Sequence, residues 1–105
     1  KAQSDEIPWC SSFVNWCMKQ SMIKGTYSAA ARSWLDWGYV CEYRYGAIVI
    51  LKRGDNEKSG HVGFCIEEDD SFVHVLGGNQ ANKVSVQKFP KYQVLGYRWP
   101  FKVVA

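Results

Sequence analysis

The sequence predicts an α+β fold in which two N-terminal helices are followed by an antiparallel β-sheet. Apolar residues at helical spacing occur only in the N-terminal part of the chain, and short segments rich in β-branched residues fill the rest. The length of 105 residues suits one domain, residues 1–105. Aromatic residues make up 15% of the chain, so that even a small core buries a large apolar area.

The two helices are predicted from apolar spacing and from the residues that flank it. Apolar residues recur at helical intervals over residues 10–23, and Gly25 follows as a stop signal. Ser28 is placed to cap a second helix over residues 29–35, which Gly38 would end. The helical part of the domain is therefore expected to end before residue 39.

The strands are predicted from short runs rich in β-branched residues or alternating apolar residues, bounded by turn formers. They cover residues 47–51, 61–67, 72–76, 84–86 and 94–99. Residues 68–71 are predicted to be the turn of a hairpin, and Gly77-Gly78-Asn79-Gln80 is predicted to break the strand before it. Two helices ahead of several antiparallel strands give the α+β prediction.

Charge and hydropathy exclude several classes of partner. The net charge is only +3 and the basic residues are scattered, so the sequence lacks the clustered surface of a nucleic-acid binder. The apolar run at residues 47–51 is far shorter than a membrane span. Residues 1–6 are polar and no signal peptide is recognised, which predicts synthesis in the cytoplasm.

Cys10, at the predicted start of the first helix, is the main candidate for a nucleophilic cysteine. Free backbone N–H groups and the helix dipole favour a thiolate there, although a small buried core residue is the alternative interpretation. Cys17, Cys41 and Cys65 are predicted to be core residues; no C-x-x-C pair suggests a metal site, and disulfides remain open. No cofactor or metal is predicted.

A nucleophilic cysteine requires a base, and the chain has two histidines. His61 follows Gly60 at the start of a strand and is the preferred base, while His74 lies in the middle of the next strand. Asn79 lies just after that strand, so that a hairpin would return it to His61 as an orienting group, although a simple turn explains the same residues. Cysteine, histidine and asparagine thus follow in the order of a papain-type site.

Several segments resemble bacterial and phage cell-wall hydrolases related to the CHAP and NlpC-type cysteine peptidases of the papain-like class. These segments are IPWCSSFVNW at 7–16, ARSW at 31–34, GHVGF at 60–64, LGGNQ at 76–80 and LGYRWP at 95–100. The resemblance implies a papain-like fold with N-terminal helices packed on an antiparallel sheet. Family members usually carry a further N-terminal helical stretch, so we expect this chain to be truncated or compact.

The resemblance also implies a catalytic set. Cys10 would be the nucleophile, His61 the general base and Asn79 the orienting residue, with His74 as the alternative orienting group. CHAP domains usually carry a glutamate shortly before that asparagine, where this chain has Gly77-Gly78. The expected reaction is hydrolysis of an amide bond in peptidoglycan, by an amidase or an endopeptidase.

The expected setting is a phage endolysin or an antibacterial effector that acts on the cell wall, in the periplasm or outside the cell, after delivery. Trp9 and Trp34 are candidates for lining the substrate groove, with core packing as the alternative. A monomer that binds peptidoglycan is expected, and an immunity or inhibitor protein is left open. Two other interpretations are a non-catalytic wall-binding module of the same fold and a disulfide-stapled structural domain.

Overall fold

The computed structural model describes residues 9–55, 57–80 and 82–102, which form one α-helix, two 3-10 helices and six strands. The helices are α1 (Cys10–Gln20) and the 3-10 helices Ala31–Asp36 and Lys91–Gln93; the strands are β1 (Tyr39–Cys41), β2 (Ile48–Lys52), β3 (Gly60–Glu68), β4 (Phe72–Gln80), β5 (Lys83–Pro90) and β6 (Val94–Trp99). The strands form one antiparallel sheet in the order β1-β6-β2-β3-β4-β5. The α+β prediction is confirmed. The first eight residues lie outside the described part of the chain.

Helix α1 ends earlier than the apolar pattern predicts. Its last turn closes in a Schellman arrangement, in which Ile23 N donates to Met18 O at 2.8 Å and Met22 N donates to Lys19 O at 3.0 Å. Met22 takes the left-handed conformation that this motif requires, with φ +61°. The helix therefore stops at Gln20, and the predicted stop at Gly25 lies in the loop that follows.

The second predicted helix is instead a short 3-10 helix. Ser28 does not cap it: the Ser28 side-chain oxygen accepts from Ala30 N at 3.1 Å, in a local turn that precedes the helix. The helix is fixed by tertiary contacts, since Trp34 is fully buried and the Arg98 guanidinium of β6 donates twice to Leu35 O. These contacts fix the conformation of this six-residue helix, which is too short to be stable as an isolated α-helix.

Two of the strands differ from the prediction. Strand β4 continues through Gly77-Gly78-Asn79-Gln80, where the sequence predicts a break. Strand β1 was not predicted, because Tyr39 and Val40 are both exposed and show no alternation of apolar and polar residues. It is defined by its pairing with β6 at the edge of the sheet.

The core is divided between the two faces of the sheet. A helix-side core joins α1 and the first 3-10 helix to the sheet; its buried members are Cys10, Val14, Met18, Ala31, Trp34, Ile48, Ile50 and Val62. An outer-face core consists of Ala47, Val49, Leu51, Cys65, Val73 and Val75. Strand β2 contributes to both, which explains its uninterrupted apolar run. Within the described residues, no helix is long and apolar enough to span a membrane.

Candidate active site

Cys10 is the first residue of α1, as the sequence predicts. The residue before it, Trp9, makes no side-chain capping hydrogen bond, and the first intrahelical bond runs from Phe13 N to Trp9 O. Among the described residues, no side chain therefore caps the backbone N–H groups at the start of the helix. Such a position stabilises negative charge, either on a thiolate or on an oxygen that develops charge beside it.

Cys10 is almost fully buried yet contributes to the wall of a cavity of about 180 Å3. The cavity, here called the Cys10 cavity, lies between the start of α1, the loop before the first 3-10 helix and the β2–β3 loop. Its described lining residues are Cys10, Ala29, Ala30, Ala31, Arg53, Lys58, Ser59 and Gly60. Two of these described residues, Arg53 and Lys58, are basic and none is acidic.

Polar residues on α1 fix one wall of the Cys10 cavity. Ser11 donates to Ser28 O at 2.6 Å, and Asn15 donates to the same carbonyl at 3.2 Å while its side-chain oxygen accepts from Thr26 N at 2.8 Å. Ser11 also accepts from the indole N–H of Trp34 at 2.8 Å. Ser11 and Asn15 are four residues apart on one helix face, and together they hold the loop that leads to Ala29.

The opposite wall is tied to the first 3-10 helix by Arg32. Its Nε donates to Ser59 O at 2.7 Å. Gly60 packs closely here: a Cβ at this position would lie 3.0 Å from Leu51 O and 3.3 Å from Arg32 Cγ. The close approach of these chains explains why a residue without a side chain precedes His61.

His61 is buried on β3 and its ring is held on three sides. Its Nε2 lies 2.8 Å from Gln80 Oε1, its Nδ1 lies 3.2 Å from an Arg53 guanidinium nitrogen, and its ring lies against Phe89 at a centroid distance of 5.3 Å. Burial lowers the pKa of His61 below 6.5, whereas the hydrogen bond that the ring donates to Gln80 Oε1 opposes this shift, and the positive charge of Arg53 lowers the pKa further. The imidazole is therefore neutral near pH 7, as a general base has to be.

The structure brings Gln80, and not Asn79, to His61. One extra residue interrupts the pairing of β4 with β5 between Gly77 and Gln80, and Asn79 adopts a left-handed backbone with φ +61°. This bulge reverses the side-chain alternation of the strand, so that residue 80 takes the place that simple alternation gives to residue 79. Asn79 makes no side-chain hydrogen bond to any described residue. Gln80 was not identified from the sequence as a site residue, although it is the last residue of the LGGNQ segment noted there.

Cys10 and His61 both lie near Arg53. Among the described residues, no hydrogen bond joins Cys10 to His61. His61 pairs with Leu51 of the outer-face core, whereas Cys10 belongs to the helix-side core. Arg53 connects the two, since it lines the Cys10 cavity and also donates to His61 Nδ1.

The remaining candidate residues lie in different surroundings. Trp34 is 0% exposed and cannot stack on a substrate; it is a core residue, and this corrects the groove assignment. Trp9 is half-buried, and its indole packs so close to Gly78 that a Cβ there would lie 2.6 Å from the ring. His74 lies 3.9 Å from Asp69 at the hairpin turn and contacts neither Cys10 nor His61 through a described hydrogen bond.

All four cysteines are free thiols in this structure, which contradicts the disulfide-stapled interpretation. Burial raises the pKa of Cys17 and Cys41, and raises the pKa of Cys65 to about 12. These three thiols are protonated at neutral pH and are weak nucleophiles. Cys10 is the cysteine that lines the described cavity.

The fold and the site define an antiparallel α+β domain with a cysteine at the start of its helix. Comparison with protein families gives a match to the CHAP domain over residues 2–79, which is more than half of the chain. The chain therefore belongs to the CHAP domain family, and the resemblance noted in the sequence is confirmed. Comparisons with curated proteins and with solved structures gave no significant match. Membership of this family points to a peptidoglycan amidase or peptidase.

Proposed function

We propose that this protein is a cysteine amidohydrolase of papain-like type that cleaves an amide bond in peptidoglycan. The observation that carries the proposal is the placement of Cys10, at a helix start that no described side chain caps and in the wall of a cavity whose described lining includes Arg53 and Lys58. Both features stabilise a thiolate and the oxyanion that forms beside it. The carboxylates of wall peptides complement the charges of Arg53 and Lys58, and Trp9 is the remaining aromatic candidate for substrate contact.

The proposed reaction begins with transfer of the Cys10 thiol proton to His61 Nδ1. The sulfur attacks the amide carbonyl, and the backbone N–H of Cys10 stabilises the oxyanion of the tetrahedral intermediate. The C–N bond then breaks as His61 returns the proton to the leaving amine. Water, deprotonated by His61, hydrolyses the thioester and restores the thiol. Because Arg53 donates to Nδ1 and the two groups belong to cores on different faces of the sheet, the exposed Arg53 side chain has to withdraw and the thiol and imidazole have to approach each other before the first transfer.

A second function, a non-catalytic wall-binding module, is favoured by one observation. The described residues show no hydrogen bond between Cys10 and His61, and the nitrogen that would accept the proton is already bound to Arg53. In a binding module, Cys10 would be a small buried residue and the Cys10 cavity would only bind wall peptides. This alternative predicts that Cys10→Ala binds peptidoglycan as the wild type does.

Action on the cell wall requires that the protein reach it. We infer that the protein is delivered to the wall as a phage endolysin or as an antibacterial effector, and that it works there as a monomer. An immunity or inhibitor protein would accompany the effector role. The requirement for delivery is tested in a bacterial host by comparing protein that stays in the cytoplasm with protein that is exported. Only the exported protein should cause lysis.

The deciding experiment is digestion of purified peptidoglycan by the wild type, Cys10→Ala and Cys17→Ala, with products identified by mass spectrometry. Cys17 is the matched control, because it lies on the same helix and does not line the described Cys10 cavity. We expect new amine termini from the wild type and from Cys17→Ala, and none from Cys10→Ala. The fragment masses then assign the bond as sugar-to-peptide or peptide-to-peptide.

Two results would contradict the proposal. Cleavage by Cys10→Ala would remove the nucleophile assignment. A lack of cleavage by all three proteins, together with co-sedimentation of the wild type and Cys10→Ala with peptidoglycan, would establish the binding module instead.

A further inference from the structure

The side-chain amide of Gln80 is held in one orientation by its own hydrogen bonds. Its Nε2 donates to Val75 O at 3.2 Å and to Ser85 O at 2.7 Å, and Gln80 is only 3% exposed. Reversing the amide would place its oxygen against two carbonyl oxygens, which repel it and offer no proton. The oxygen of Gln80 therefore faces His61, where it lies 2.8 Å from Nε2.

This orientation determines the proton position on His61. An amide oxygen accepts hydrogen bonds and cannot donate them, so that His61 Nε2 carries the proton. In the neutral ring the lone pair then lies on Nδ1. The contact of Nδ1 with Arg53, which only donates, agrees with this assignment.

Gly77 provides the space that this contact needs. A Cβ at Gly77 would lie 2.6 Å from Gln80 Oε1 and 3.2 Å from His61 Nε2. Any side chain at position 77 would therefore displace the Gln80 amide from His61. The bulge at Asn79 completes the arrangement, because it turns residue 80 toward the ring.

We propose that Gln80 is the positioning residue of His61, which it holds as the Nε2–H tautomer with the basic Nδ1 turned toward Arg53 at the Cys10 cavity. The inference rests on the proposed function for its catalytic meaning, since Nδ1 is the nitrogen that receives the thiol proton. It assigns to Gln80 the role that the sequence gave to Asn79. A residue of this kind affects turnover more than substrate binding.

The test combines nitrogen NMR of His61 with kinetics on soluble peptidoglycan fragments. The proteins are the wild type, Gln80→Met, Gln80→Glu and the control Gln87→Met, a change at an exposed glutamine of β5. Spectra at pH 8, where the imidazole is neutral, report which ring nitrogen carries the proton. Gln80→Glu keeps an oxygen acceptor for His61, and its second oxygen retains a proton, because burial against the Val75 and Ser85 carbonyls disfavours the carboxylate; that O–H donates to one of the two carbonyls. Gln80→Met has neither the acceptor for His61 nor a donor for the carbonyls.

We expect the Nε2–H tautomer in the wild type, in Gln87→Met and in Gln80→Glu. Gln80→Met should show a mixture of tautomers and a kcat lower by about 100-fold, with little change in KM, because a correctly placed base contributes about that much. Gln80→Glu should recover most of this loss. A dispersed amide spectrum for each protein establishes that it is folded.

Two results would overturn the assignment. One is an Nδ1–H tautomer in the wild type, which needs no variant to be decisive. The other is that Gln80→Glu loses the Nε2–H tautomer of His61 and the kcat to the same extent as Gln80→Met. Gln80 would then have only a structural role. If the wild type cleaves no peptidoglycan, the proposed function fails, while the spectra still decide whether Gln80 orients His61.

Discussion

At the residue scale, the environment of His61 decides its chemistry. The ring is 1% exposed, and burial lowers its pKa because the charged imidazolium loses its hydration. Gln80 supports the charged form through its hydrogen bond, and the Arg53 guanidinium opposes it through repulsion. A base with a lowered pKa stays neutral in mildly acidic solution, where an ordinary histidine is half protonated.

Replacement of Arg53 by methionine is expected to raise the pKa of His61. The substitution removes a positive charge from Nδ1 and keeps an unbranched side chain at the end of β2. NMR titration of His61 measures the shift directly. Lys58→Met is the control, since Lys58 is a second basic residue of the Cys10 cavity and has no hydrogen bond to His61 among the described contacts. An equal shift in both variants, or a lower pKa in Arg53→Met, would contradict this prediction.

The sequence predicted the candidate site only in part. Cys10 was located because helix starts have a recognisable pattern, and the structure confirms its position at residue one of α1. Gln80 was missed because the bulge at Asn79 depends on a left-handed backbone that an Asn permits and does not require. Trp34 was assigned to the groove because burial of an isolated aromatic residue depends on tertiary packing, which spacing does not encode.

At the element scale, the end of α1 carries an unusual residue. The Schellman motif places Met22 at the position where glycine is common, with φ +61°. A side chain with a Cβ is strained in this conformation by about 1 kcal/mol or more. Met22 is 93% exposed, so its side chain contributes almost no packing in return.

Met22→Gly is therefore expected to stabilise the protein by about 1 kcal/mol, since relief of strain exceeds the added entropy of the unfolded chain. A gain of this size raises the Tm by roughly 4–8 °C for a domain near this length. Thermal unfolding measures the change. Met22→Ala retains the Cβ and should show no comparable gain; if both variants behave alike, strain at residue 22 is not the cause.

Element boundaries were less predictable than element types. The five strands predicted from β-branched runs all exist, but β4 extends past two glycines because its neighbours supply the pairing. The second helix was predicted as an α-helix from Ser28 and the alanines after it. Its 3-10 form reflects the anchoring of Leu35 by Arg98 of β6, a contact 63 residues apart that no local pattern predicts.

At the scale of the whole molecule, the two cores meet where β2 ends and β3 begins. Cys10 closes the helix-side core, and His61 lies beside Leu51 and Phe89 of the outer face. Because the two groups lie on different faces of the sheet, Arg53, which directly follows β2, is the residue that connects them. The α+β class was predictable from the order of helical and alternating patterns, whereas this division of the core was not.

Burial of a neutral His61 couples folding of the whole domain to pH. In the unfolded chain His61 titrates near 6.5, while in the folded protein its pKa is lower. Between these two values the unfolded chain binds more protons, so the free energy of unfolding falls as the pH falls below 6.5. The slope in this window can reach about 1.4 kcal/mol per pH unit for one such group.

Urea unfolding at pH 7.5, 6.5 and 5.5 tests this coupling, with His61→Gln as the control that lacks the titrating ring. We expect the stability of the wild type to fall below pH 6.5 more steeply than that of His61→Gln. His74 is present in both proteins and cancels in the comparison. The pKa of Asp69 is lowered by hydrogen bonds from Ser71 N and Phe72 N, so its contribution is lost only as the pH falls below 3.8, outside this range. Parallel pH dependences in the two proteins would mean that His61 is not the group that links protonation to folding.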